Sequence, residues 1–354
     1  MTVSDWPVPT AGQQLEFMKN IQRLLYEGGF VATYKYALLH ALADLSIVKG
    51  DDTGAPLSLT TDEIASRFIE LYWQQARPFQ AGDACSGVIL KQNTGRQASV
   101  ITMIADAHAA AGGSLYRQRQ ETPRWRALVK AVAQTIRTMP LWRLQTVGSE
   151  RLDFLYKNED AGEAIMLEPG VPYCFRVFHA VLCGLFRSAW AEYLRGNNRQ
   201  ELGSASDLQE FLFGQERAAL QQFVPILRDL QSNQCFYCQR RLAESSAVDH
   251  FIPWSRCRSD LAHNFVLAHG HCNAAKSDYL AFERHLEAWC ARNADQRAEM
   301  IQRFDAASML HDLPASLSVA RWAYGQTEGA NGQVWVEGKV FCHLGGTWRS
   351  VFAA

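Results

Sequence analysis

Apolar residues recur at intervals of three and four through most of the first 230 positions, a period that predicts a largely helical region. "QLEFMKNIQRLLYEG" and "TYKYALLHALADLSI" both follow it and stop at glycine- or aspartate-rich loops. After the loop "DDTGAPLSL", Thr60 and Glu63 form a capping-box signature for the helix "DEIASRFIELYWQQ". A helix, a loop and a second capped helix fit a helix-turn-helix-like or winged-helix unit, and fit any helical bundle equally well. "KQNTGRQASVITMIADAHAAAGG" reads as a loop running into a helix, and Thr122 is expected to cap the next one, begun by Pro123. Between Leu141 and Pro169 the period shortens, so "LWRLQTV", "LDFLYK" and "EAIMLE" read as short strands. The long apolar helix "YCFRVFHAVLCGLFRSAWAEYL" then ends at "RGNN". Two further helices are expected, "DLQEFLF" with Ser206 as its cap and "QERAALQQFVPILRDLQ".

Beyond Cys235 the pattern changes. Val248 to Pro253, "VDHFIP", reads as a short buried strand carrying two adjacent polar residues. Asn264 opens a second strand, "NFVLAH", and Asn273 stands at the start of an expected helix "AAKSDYLAFERHLEAW". Helix is expected to about Phe304, and the alternation in "GQVWVEGKVFCHL" around Glu337-Gly338 predicts a C-terminal hairpin. The fold class is therefore mainly α with small β elements (α+β). The expected domains are 1–230, mostly helical and for recognition or regulation, with a boundary near 90–145 left open; 231–292, a compact β–β–α module; and 293–354, helices and a hairpin packing on the rest.

Composition adds little to this outline, with 48% apolar and 20% charged residues as in an ordinary globular protein. The N-terminal "MTVSDWPVPTAGQQ" lacks the basic and apolar stretches of a signal peptide. The longest apolar run, Val181 to Phe186, is far too short to cross a bilayer. A cytoplasmic location without a membrane partner is the expectation. Charge is more informative in its distribution than in its total of −1. Residues 1–90 carry a net −4, whereas 91–143 carry +7. The basic segment, with Arg96, Arg117, Arg119, Arg124 and Arg126 in its loops and helix starts, suits either phosphate contacts or a solvated helix face.

Nine cysteines in a chain without export signals argue against a disulfide framework. Cys235-x-x-Cys238 is a two-ligand knuckle, because two intervening residues let both thiolates face one tetrahedral ion. His269-x-x-Cys272 repeats the spacing about thirty residues later. The four make a Cys3His set suited to structural Zn2+. The spacing favours His269 as fourth ligand, with Cys257 and His271 as rivals. A redox role for the Cys-x-x-Cys pair lacks its usual βαβ surroundings.

The string Cys-x2-Cys, "VDHFIP", "NFVLAHGHCNAAKSD" resembles the HNH endonuclease family, in particular its zinc-stapled members and the HNH domain of RNA-guided CRISPR effectors. The resemblance covers about fifty residues from Gln234 and implies a ββα-metal nuclease core. It implies that His250 is the general base, Asp249 a carboxylate ligand of a catalytic divalent ion, and Asn273 the second ligand. It further implies that Asn264 holds the loop and orients the histidine, and that Lys276 faces the phosphate. The set suits phosphodiester hydrolysis, since imidazole titrates near neutrality and hard oxygen donors hold Mg2+ or Mn2+. His269 departs from the cysteine usual at its position in zinc-bearing relatives, so an altered but occupied zinc site is expected.

Ordinary roles compete for each residue. Asp249 could cap a turn, His250 could be a core histidine, and Asn273 alone is a good helix cap. His263 and His271 read as bystanders, and Phe236, Tyr237 and Trp254 as packing around the knuckle. The expected activity is a metal-dependent DNA endonuclease of prokaryotic restriction or anti-phage defence, on fold-level analogy. The alternatives are a zinc-stabilised nucleic-acid-binding module without catalysis and an RNA-cleaving enzyme.

Overall fold

The computed structural model describes residues 6–81, 84–85, 87–95, 97–158, 162–202, 208–214, 220–258 and 260–352. The chain divides into two compact units, Met1–Gln215 and Glu216–Ala354. Both are mainly helical with small antiparallel strand pairs. No helix among the described residues is long and apolar enough to cross a membrane.

In the first unit the helix Tyr34–Lys49 is buried along nearly its whole length and packs against Thr61–Trp73, Val171–Val177 and His179–Asn197. Such a central helix is apolar on every side, which is why its amphipathic signal is weak. Its polar exceptions are paired. Asp44 accepts from Arg67 at 2.6 Å and bonds His40 at 3.0 Å and His179 at 2.8 Å. Burial alone would raise the Asp44 pKa, but the Arg67 guanidinium and His40 hold it well below the carboxylate range. Arg176 donates to the terminal carbonyls of Ser46, Ile47 and Gly50, closing the helix C-terminus with a buried positive charge.

The expected capping box at Thr60 and Glu63 is present in both halves, Glu63 N–H to Thr60 Oγ1 and Thr60 N–H to Glu63 Oε2. The strand Leu57–Thr60 before it pairs with Ala164–Leu167, the expected "EAIMLE" strand. Other local expectations need correction. The helix Thr122–Thr138 has Glu121 at its cap position, so Thr122 is its first residue rather than its cap. "LWR" forms a helical turn, Pro140–Arg143, and "LDFLYK" forms no strand beyond a single bridge at Tyr156. There the Gln145 amide replaces a neighbouring strand, accepting from Leu155 N–H at 2.6 Å and donating to Tyr156 O at 2.7 Å. Ser206 lies outside the described residues.

In the second unit, Ser246–His250 pairs antiparallel with Phe265–His269, placing Asp249 opposite Val266 and His250 opposite Phe265. Phe265–Ala268 are fully buried because the helices Phe223–Leu230 and Gly270–Lys276 both pack on the hairpin. The expected single helix after Cys272 is two. Ser277 takes φ +50° and ends the first at Lys276, and a new helix runs from Glu283 to Asp295. The intervening Leu280–Phe282 segment bonds Trp335 in the hairpin Gln333–Glu337/Val340–His343, with Gly338 at φ +50° in its turn. The helix Arg297–Ala306 continues the expected helical run. The 17-residue helix Leu313–Gly329, capped by Asp312, falls within 293–354, where helices are expected without individual bounds.

His263 is wholly buried, edge-on to Phe304 at 5.4 Å, and neither ring nitrogen has a hydrogen-bond partner among the described residues. Burial, then the positive charges of His311, Arg292 and Arg297, push its pKa from 6.5 down to about 4. A histidine depressed in the folded state costs stability as it is protonated, so this contribution is intact above 6.5 and lost as pH falls toward about 4. The full loss is on the order of 3 kcal/mol. Thermal unfolding across this range should show His263→Leu gaining stability relative to wild type as the pH is lowered; parallel pH profiles would contradict the assignment.

Candidate active site and metal centre

The cysteine knuckle is a tight turn. Cys235 N–H donates to Arg240 O at 2.8 Å, Gln239 N–H returns to Cys235 O at 2.9 Å, and Gln239 takes φ +58°. His269 ends the second hairpin strand and is the cap residue of the helix Gly270–Lys276, whose first turn carries Cys272. The turn and the strand end thus bring the ligand atoms of Cys235, Cys238, His269 and Cys272 within 4.8 Å of one another. Neither rival, Cys257 or His271, belongs to this group. His271 is exposed and stacks on the His269 ring at 5.0 Å.

The donor set fits a cation. His269 Nε2 lies 3.0 Å from Arg241 O, which holds the proton on that nitrogen and turns Nδ1, 3.3 Å from Cys238 Sγ, toward the sulfurs. Burial and then the neighbouring Cys235 and Cys238 push the Cys272 thiol up to about 12. Cys238 falls below the ordinary thiol value, because hydrogen bonds from the Arg240 backbone and the neighbouring ligand side chains outweigh its burial. Three thiols this close cannot all ionise unless positive charge compensates them, and a Cys3His set is a tetrahedral Zn2+ donor set.

On the same hairpin, Asp249 and His250 close the first strand. Asp249 Oδ2 receives Tyr237 O–H at 2.5 Å and the Lys276 ammonium at 3.0 Å. Lys276 was expected to face the phosphate; it is instead wholly buried, and its second bond goes to the His250 carbonyl at 3.0 Å. Tyr237, expected only to pack, lies edge-on against His285 and Trp335 and also supplies that hydroxyl. Burial and the Asp249 carboxylate raise its own pKa well above the normal value, so it remains a donor.

Asn264 clamps the backbone that follows. Its Oδ1 accepts from Ile252 N–H at 2.8 Å, its Nδ2 donates to Ile252 O at 2.9 Å, and its carbonyl accepts from Phe251 N–H at 2.8 Å. Behind it, Trp289 and Arg292 both donate to His263 O at 2.9 Å, and Phe251 stacks flat on Trp289 at 5.1 Å. The His250 ring lies against Phe265 at 4.7 Å and Trp254 at 5.4 Å, with Nε2 2.9 Å from Asp260 Oδ1. Asp260 is a site residue that sequence reasoning missed, because a lone aspartate in the loop between the two strands carries no periodic signal.

Asn273 is half-buried on the site helix, three residues before Lys276 and therefore on the same face, roughly 5–6 Å away. One carboxylate oxygen and one amide oxygen, hard donors that leave room for water, suit Mg2+ or Mn2+.

Of the five candidate arginines in the first unit, Arg119 pairs with Glu70 and lies over Trp125, and Arg124 pairs with Glu121 at 2.6 Å. Arg117 and Arg126 are exposed. Arg96 lies outside the described residues.

A β-hairpin, a short helix and a Cys/His cluster, with aspartate and histidine side by side at the strand end, make up a compact β–β–α module. Residues 235–282 match the family model described as HNH endonuclease. No curated protein and no solved structure matches the chain.

Removing the Lys276 charge leaves Asp249 buried and unpaired, which costs about 3–5 kcal/mol. Lys276→Met should therefore lower the urea midpoint of the second unit sharply, and an unchanged midpoint would show that the pair adds nothing.

Proposed function

We propose that the protein is a metal-dependent endonuclease that hydrolyses DNA phosphodiester bonds, with His250 as general base. The observation that carries this reading is the fixed pairing of Asp249 and His250, each at least nine-tenths buried and each held by its own hydrogen-bond partner. The His250 imidazole takes the proton of the attacking water, whose oxygen forms the new bond to phosphorus while the bond to the leaving sugar oxygen breaks and solvent protonates it. Asp249 and Asn273 hold the divalent ion, which when bound offsets negative charge developing on the phosphate. Lys276 and Tyr237 orient the Asp249 carboxylate, and Asn264 fixes the chain beside His250. Cys235, Cys238, His269 and Cys272 hold a structural Zn2+ that staples the hairpin to the helix. A helical unit joined to such a core fits restriction or anti-phage nucleases by analogy of architecture.

The reading is tested by nicking of supercoiled plasmid with Mg2+ or Mn2+. Wild type is expected to cut, and His250→Ala and Asp249→Ala to lose about 10²-fold or more of the rate. An inert wild type that still binds DNA would identify a zinc-stabilised binding module, and cleavage confined to RNA would change the substrate.

Backbone contacts are assigned to the exposed basic side chains Arg117, Arg124 and Arg126, with Lys130 one turn beyond Arg126 on the helix Thr122–Thr138. Replacing all four with alanine should flatten the dependence of log affinity on log salt by as much as about 0.9 for each phosphate no longer neutralised. An unaltered slope would remove this face from the interface.

A further inference from the structure

We propose that Asp260 is the positioning residue for His250, selecting which ring nitrogen is able to accept the proton. The inference rests on His250 as the base and adds a residue that lies outside the Asp249, Asn264, Asn273 and Lys276 set. Asp260 Oδ1 lies 2.9 Å from His250 Nε2, across ten residues of loop between the two hairpin strands. An ionised carboxylate only accepts hydrogen bonds, so Nε2 must carry the proton here. The lone pair then resides on Nδ1. In neutral imidazole one nitrogen donates and the other accepts, so fixing the first fixes the second.

The pairing is built rather than incidental. The Asp260 side chain is 39% exposed, yet the chain directly after it is anchored. Ala262 N–H donates to Leu310 O and Asn264 N–H to Leu261 O, both at 2.9 Å, and Ala262 is wholly buried. The imidazole is confined from the other side by Phe265 and Trp254, which restrict its swing. The carboxylate therefore supplies what apolar walls cannot, a preference between two ring faces of nearly equal shape. Asp260 meets the site at the His250 ring. Its partial exposure also means that its replacement removes no buried charge and leaves the core intact.

The test pairs a spectroscopic measurement with kinetics on the full chain. Side-chain 15N NMR in mildly alkaline buffer, with His250→Gln to assign the signals, should show His250 in the Nε2–H tautomer. Asp260→Ala should convert it to a mixture of tautomers, and Asp260→Glu should largely restore the single form. In the nicking assay kcat should fall about 10²-fold in Asp260→Ala with KM within about twofold, and Asp260→Glu should recover most of the rate. An Nδ1–H tautomer in wild type, or tautomer and kcat both untouched in Asp260→Ala, would overturn the proposal. A raised Mg2+ requirement with normal kcat at saturating metal would also overturn it, making Asp260 an ion ligand. If wild type never cuts, the endonuclease reading fails, and the NMR comparison alone decides whether Asp260 sets the tautomer.

Discussion

The second unit turns on one buried ammonium group. Lys276 Nζ joins the site helix to the first hairpin strand twice, through the Asp249 carboxylate and through the His250 carbonyl. Both acceptors belong to adjacent residues, so one charge fixes the peptide unit on which the two candidate functional side chains stand. Burying an ammonium is costly unless it is paired and hydrogen-bonded, and here both conditions are met. The Tyr237 hydroxyl takes up further capacity of the carboxylate, so this polar knot survives in an apolar hairpin without stranding a charge. The Cys/His cluster lies at the opposite end of the same helix, where Cys272 is in the first turn. The seven-residue helix, too short to persist alone, is thus held at both ends by side chains.

The first unit manages buried charge in the same way on a larger scale. Asp44 sits amid an otherwise apolar helix and meets Arg67, His40 and His179 from other turns and helices. Burial opposes the His40 charge more strongly than Asp44 favours it, so His40 is held below the ordinary imidazole value. A buried polar network of this kind constrains how the helices register, because any slip would strand a carboxylate.

Much of the outline was legible in the sequence because it is encoded locally. The Thr60–Glu63 box, the two-residue spacings of the cysteine pairs and the turn at Gly338 all depend on residues a few positions apart. What escaped was set by distant partners. Tyr237 reads as an aromatic spacer until Asp249, twelve residues on, is brought to its hydroxyl. Lys276 is expected to face the phosphate, and only the packing of helix on hairpin turns it inward. Ser277 interrupts an unbroken helical period with no glycine or proline to announce it. Helices are expected within 293–354, but the bounds of Leu313–Gly329 were not legible because it is apolar on too many sides to show a clean stripe; Trp322, Ala323 and Tyr324 are buried in succession.

The left-handed turn at Ser277 has a consequence for where this module ends. By stopping the helix it releases Leu280–Phe282 to run beside Trp335, and Tyr324 donates to Ala281 O at 2.5 Å. Tyr237, the partner of Asp249, therefore has His285 and Trp335 as its rear wall, both beyond the 48 residues that the family model spans from 235 to 282. The recognisable segment and the cooperative folding unit do not coincide. A fragment cut at the edges of the motif would keep the ligands and the histidine but admit water behind the tyrosine, and the carboxylate it holds would lose its dry surroundings first.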